Sequence, residues 1–159
     1  MNIDTIKNGY VIDHITAGNA IKIYRMLELN KLDCQVALIT NAKSKKSKIK
    51  DIIKIGSLID INLDKIAFIN PDATVNIVKN EKIIEKKKLE IPERLINVCK
   101  CNNPRCITGT ERNLDQIFNL IDKDKKVYRC YYCESTLEKD KFIYWWYSLC
   151  VYIFYILLN

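Results

Sequence analysis

VCKCNNPRCITGT, residues 98–110, carries three cysteines, and RCYYCE follows it at 129–134. Cys101-x4-Cys106 is separated by 23 residues from Cys130-x2-Cys133. Two close pairs on separate turns are what a tetrahedral four-thiolate site needs, because each pair bends the backbone into a knuckle that turns two sulfurs toward one ion. The spacing predicts zinc on Cys101, Cys106, Cys130 and Cys133. Iron–sulfur ligation and disulfides are the other readings of four close thiols, and nothing in the sequence points to the export that disulfides require. Cys99-x-Cys101 is too tight to hook one ion well, Cys34 reads as a core residue of an apolar strand, and Cys150 lies near the C-terminus. Between the hooks, QIFNLI (116–121) and KVYR (126–129) read as two strands around Asp122-Lys123-Asp124-Lys125. Residues 92–138 therefore read as a small β-rich, zinc-ribbon-like domain. It has few apolar side chains, so the metal is expected to supply much of its folding energy.

Upstream the pattern changes. YVIDHI (10–15) is short and β-branched and reads as a strand. Ala17–Leu29 follows, with Ala20, Ile23, Tyr24 and Leu27 at helical spacing and Asn30 as a stop. Cys34–Thr40 reads as a second strand, NAKSKKSK (41–48) as a basic loop and IKDIIKI (49–55) as a third strand. Asn62–Phe68 reads as a helix capped by Asn62, and ATVNIV (73–78) and KIIE (82–85) as a hairpin around Lys79-Asn80-Glu81. The order β-α-β-β-α-β, with one extra strand, predicts an α+β fold with a ferredoxin-like sandwich. EKKKLEIPER (85–94), charged and containing Pro92, reads as a boundary. The expected organisation is a domain at 1–91, the cysteine domain at 92–138 and an apolar segment at 139–159.

Composition removes several classes of function. The 159 residues carry a formal charge of +7, one histidine, seven cysteines and four isolated glycines. Neither GxGxxG nor GxxxxGK[ST] occurs, and a single His14 excludes HExxH and any other two-histidine metal site. The basic balance points to phosphates, on nucleic acid or on nucleotides. Lys50 and Lys54 share one face of a strand with residue 52, which is costly unless something anionic lies between them, and a triphosphate fits that gap. The same lysines also read as an ordinary solvated face. His14 reads as a group that stacks on or bonds a base, or as a structural histidine. No nucleophile stands beside a base in the sequence. FIYWWYSLCVYIFYILL (142–158) has no formal charge and reads as a membrane anchor, as a packed terminal strand and helix, or as a non-native terminus. The first residues lack a basic stretch followed by an apolar run, which predicts a cytoplasmic location with reduced thiols.

GYVIDHI (9–15), KDIIKI (50–55), DATVNIV (72–78), LEIPERLINV (89–98), CNNPRCIT (101–108) and CYYCE (130–134) together resemble the aspartate carbamoyltransferase regulatory chain. They follow that family's order and spacing from about residue 3 to residue 134. VIDH, ATVN, PER and the paired hooks are specific as a set, though each alone is weak. The resemblance implies a noncatalytic chain of pyrimidine biosynthesis with two domains. The first is an allosteric domain that binds nucleoside triphosphates, ATP activating and CTP with UTP inhibiting. The second is a zinc domain that docks on the catalytic chain. It implies nucleotide contacts at Asp13, His14, Lys50, Lys54, Asn76 and Lys86, with Ile6, Ile52, Thr74, Val78 and Ile83 lining the base and ribose. It implies one structural zinc per chain on the four hook cysteines, and Asn103, Arg105 and Glu134 facing the catalytic chain. It also implies regulatory dimers that bridge catalytic trimers in a dodecamer of six catalytic and six regulatory chains, with no nucleic-acid or membrane partner.

The chain departs from the family at Glu81, where an aromatic can line the nucleotide site, at Arg105 in the first hook, at the extra thiol of Cys99 and in the apolar segment after about Leu137. Two competing classes remain. One is a zinc-ribbon nucleic-acid-binding protein, suggested by the +7 charge and the ribbon. The other is a membrane-anchored redox or metal protein, suggested by the apolar segment alone.

Overall fold

The computed structural model describes residues 6–44, 48–111 and 113–138; the apolar segment read at 142–158, with Cys150, lies outside them. Two compact units divide after Glu90. The first begins with strand β1 (Gly9–Ile15), helix α1 (Ala20–Met26) and a 3-10 turn at Leu29–Lys31. Strands β2 (Val36–Ser44) and β3 (Lys48–Ile55), helix α2 (Leu63–Ile69) and strands β4 (Thr74–Lys79) and β5 (Lys82–Lys88) complete it. The sheet order is β2-β3-β1-β4-β5, antiparallel throughout. This is the ferredoxin-like β-α-β-β-α-β arrangement with β5 added at one edge.

Alternation along the strands decides which face the helices cover. Asp51, Ile53 and Ile55 of β3 are buried, while Lys50, Ile52 and Lys54 between them are half-buried. Ile12, Ile53 and Val75 have no exposed surface, and neither have Ala20 and Ile23 of α1 or Ile66 of α2. Asp51 is the charged member of this core. Its carboxylate accepts from the N–H groups of Gly18 (2.7 Å), Ala20 (3.4 Å) and Asn41 (3.0 Å). It thereby satisfies orphan donors at the start of α1, where the Asn19 side chain makes no capping bond and its Nδ2 donates to Asn70 Oδ1 at 3.3 Å instead. Asn62 does cap α2 as expected, accepting from the Lys65 N–H at 3.1 Å. Gly9 has φ of +149°, and a Cβ there would run into the Ile55 carbonyl oxygen, so the start of β1 admits glycine alone.

The second unit holds strands β6 (Arg94–Ile96), β7 (Ile117–Asp122), β8 (Val127–Cys130) and β9 (Thr136–Glu138), in sheet order β6-β7-β8-β9, with the single helical turn α3 (Ile107–Thr110). One face of the sheet is its core. Leu95, Phe118 and Cys130 pair across three strands, Tyr128 pairs with Leu137, and all five are at most 2% exposed. The Tyr128 hydroxyl donates to the Pro92 carbonyl at 2.8 Å, which satisfies the one polar atom of that side chain.

Several expectations change. The basic loop at 41–48 is mostly strand: Asn41–Ser44 continue β2 past a register shift and Lys48 opens β3. Lys43 is therefore a strand residue, while Lys45 and Lys46 lie outside the described residues. Cys34 precedes β2 and is half-buried, not core. β5 runs to Lys88, so the charged stretch read as a boundary from Glu85 is half sheet edge. Helix α1 stops at Met26, before Asn30, because Glu28 turns left-handed at φ 52°. Among the described residues no helix is long and apolar enough to cross a membrane.

Candidate functional site

Sheet pairing gathers residues that are far apart in the chain. Lys54, Val11, Asn76 and Lys86 are successive partners across β3, β1, β4 and β5. Asp13 pairs with Thr74 one step along. Ile52 and Lys50 follow from Lys54 at intervals of two on β3, and Val78, two beyond Asn76, pairs with Ile83. Because side chains alternate, these residues share the sheet face turned away from the helices. The middle of that face is enclosed, with Thr74, Asn76 and Val78 at most 8% exposed. Its β5 rim is open: Lys86 is exposed and Ile83 is 63% exposed. Ile6 precedes β1 and is half-buried; the next residue, Lys7, accepts from the Glu81 N–H at 2.9 Å, which sets this segment beside the β4–β5 turn.

Lys50 does not lack a counter-charge. Its ammonium lies 2.7 Å and 2.9 Å from the two Asp13 carboxylate oxygens. Burial on its own would raise the Asp13 carboxyl. The hydrogen bond and charge of Lys50 together with the His14 N–H (2.7 Å) outweigh it and hold Asp13 below its usual value. His14 stands at φ 59° where β1 slips register against β3, with Nδ1 3.1 Å from Asp13. This nitrogen is enclosed but lacks the alignment of a hydrogen bond. Asn76 donates from Nδ2 to the Val11 carbonyl at 3.3 Å, and its buried Oδ1 has no hydrogen-bond partner. An enclosed acceptor left unmatched costs stability, and a donor brought by a ligand would remove that cost.

In the second unit the four hook sulfurs lie within 4.8 Å of one another. Cys101 and Cys133 are 3.5 Å apart and Cys106 and Cys130 3.8 Å. A tetrahedron of thiolates about 2.3 Å from a central ion has edges of about 3.8 Å, so the donor set fits one tetrahedral metal ion. The sulfurs divide by electrostatics. Burial raises Cys101 and Cys130. Burial also opposes the Cys133 thiolate, yet the Ser135 hydroxyl and N–H, with Cys101 and Asn103, lower it to about 6. Metal binding must therefore displace the protons that burial holds on Cys101 and Cys130. Cys99 stands apart from this group, pushed up to about 12 by burial and then by the neighbouring Cys130.

Asn103 belongs to the first knuckle itself. Its side chain accepts from the Arg105 N–H and its carbonyl from the Cys106 N–H, both at 3.0 Å. Arg105 is exposed on that knuckle; Glu134, exposed on the second, donates its N–H to the Cys130 carbonyl at 3.1 Å. Sequence reasoning missed Gln116, whose Oε1 accepts from the Cys101 N–H (3.1 Å) and whose Nε2 donates to the Thr108 carbonyl (3.0 Å). It also missed Thr108, with Oγ1 3.2 Å from the Cys106 sulfur, and Ser135. No spacing rule marks them, since they act on the ligands through the fold.

Fold and site together define a two-domain α+β metal-binding protein. Residues 1–90 match the family described as the allosteric domain of the aspartate carbamoyltransferase regulatory chain, and residues 93–143 match its metal-binding domain. The chain is 48% identical over 141 residues to the aspartate carbamoyltransferase regulatory chain of Clostridium acetobutylicum, covering 89% of this chain and 97% of that one. It is 48% identical to that of Clostridium botulinum strain Hall (85% and 92% covered) and 42% identical to that of Bifidobacterium longum (87% and 99% covered). The chain belongs to the aspartate carbamoyltransferase regulatory chain family. It is a noncatalytic regulatory chain, with an allosteric domain and a metal-binding domain.

Proposed function

We propose that this chain is a cytoplasmic regulator of pyrimidine biosynthesis that binds ATP as activator and CTP or UTP as inhibitors on the outer sheet face of its first domain. In this reading it holds one structural zinc ion on Cys101, Cys106, Cys130 and Cys133, and docks on the catalytic chain of aspartate carbamoyltransferase through its second domain. The observation that carries the reading is the row Lys54–Val11–Asn76–Lys86 across four adjacent strands. Lys54 and Lys86 meet the phosphates, where charge-assisted bonds are strongest. Asp13, neutralised by Lys50, presents carboxylate oxygens to ribose or base, Asn76 Oδ1 accepts from the ligand, and His14 flanks the base. Ile6, Ile52, Thr74, Val78 and Ile83 line the nucleoside. Arg105 and Glu134, exposed on the two knuckles, face the catalytic chain, and Asn103 holds the first knuckle in shape beside them. Zinc suits a closed four-thiolate site.

Regulatory chains pair through the allosteric domain and bridge catalytic trimers into the dodecamer of six and six. A nucleotide shifts that assembly only by its differential affinity for two states, and the coupling is reciprocal. The test is made on the complex reassembled with its catalytic chain. CTP should raise and ATP lower the half-saturating aspartate concentration, and a bound substrate analogue should change CTP affinity by the same factor. Nucleotide binding with no effect on substrate affinity would overturn the allosteric reading. The nucleic-acid-binding reading rests on the net charge and the ribbon, and membership of the family does not favour it.

A further inference from the structure

Among the described residues of the second unit, the sheet buries one face. Opposite its buried face, Arg94, Asn119, Arg129 and Thr136 pair in register across all four strands, and each is exposed. The Arg94 guanidinium lies 5.8 Å from the centre of the Tyr131 ring, which meets Tyr132 edge-on at 5.3 Å. Tyr131 is 59% exposed and Ile96, on the same strand face as Arg94, is 49% exposed. No ion pair among the described residues involves Arg94 or Arg129. Asp122, the nearest acid within β7, is turned into its own turn by the Lys125 N–H at 2.9 Å.

We infer that this sheet face is a docking surface for a carboxylate-rich patch on the catalytic chain, separate from the knuckle residues Arg105 and Glu134. The inference rests on the proposed function and names a second surface for its partner. Two guanidiniums are held about two strand spacings apart, roughly 10 Å, on a rigid sheet. Each offers a planar fork suited to bidentate carboxylates. Arg94 is steadied on an aromatic ring, so less side-chain freedom is lost on binding. Arginine and tyrosine beside an exposed isoleucine make the composition of a protein interface. A surface that tracks a nucleic-acid backbone would instead carry many phosphate contacts, and the paired row of this face holds only two cations.

The experiment measures association of the zinc-loaded chain with its catalytic chain for the native protein, Arg94→Glu, Arg129→Glu and Arg129→Gln. Both reversals should weaken association at least about tenfold and flatten its salt dependence, with Arg129→Gln intermediate. Zinc content and CTP affinity should stay native, because the altered side chains are exposed. Native association in both reversal variants would overturn the inference. So would loss of binding to an RNA or DNA oligonucleotide while catalytic-chain binding persists. If the native chain itself fails to associate, the proposed function fails; if the native chain associates and the variants do so equally, the docking face alone is wrong.

Discussion

The two units stabilise their sheets by different means. In the first, two helices lie on one face of five strands, and Ile12, Ile15, Ile23, Ile53, Ile55, Ile66 and Val75 close without exposed surface. In the second, four short strands rest on Leu95, Phe118, Tyr128, Leu137 and a few neighbours, and four thiols occupy the place where further apolar side chains would sit. Apolar burial of the first kind suffices to order a domain, whereas a core this small needs a staple. Under the proposed function the contrast separates the roles: recognition chemistry would sit on the spare face of the self-supporting sheet, and the metal would support the other one.

The largest expected effect follows from that contrast. Removing the metal with a strong chelator should unfold the second unit, since such a site contributes on the order of 10 kcal/mol, and leave the first folded. Domain-resolved hydrogen exchange would show this, and protection retained in β7 and β8 would break the comparison. Cys106→Ser should act the same way without chelator, measured as lost metal and lost association with the catalytic chain.

Next in size is Lys54→Ala, which should weaken nucleotide binding about ten- to hundredfold while metal content stays native, as for any lost charged hydrogen bond. A calorimetric titration beside a metal assay checks both halves.

Acid should act on the first unit through Asp13. Its folded value is lowered, so its contribution is complete above the ordinary value of 3.8 and is lost as pH falls from there through the folded value. Denaturant titrations across that range should show the loss, and Lys50→Met should reduce both neutral stability and this acid dependence. The smallest effect is Asn62→Ala, about 1 kcal/mol from the first unit by loss of its cap, read as a shift of the denaturation midpoint.

Much of the first fold was legible because its signals are local. The alternation of Ile53 and Ile55 with Lys54, the Asn62 cap and the order of elements each identify a feature within a few residues. The four thiols were legible for the same reason. β6 and β9 were not, because three residues carry no periodicity and both strands exist only through pairing with β7 and β8. Asp51 was not legible either, because only the folded chain brings the Gly18, Ala20 and Asn41 N–H groups to it. The row from Lys54 to Lys86 likewise draws on four strands, so no spacing encodes it. Those positions came from family resemblance, and the register now supplies their common face.

The most direct test is a calorimetric titration of CTP into the chain before and after metal removal. The account predicts one site per chain with the same affinity in both states, even though the metal-stripped chain no longer joins its catalytic partner. Nucleotide binding that disappears with the metal, or that is absent from both states, would contradict it.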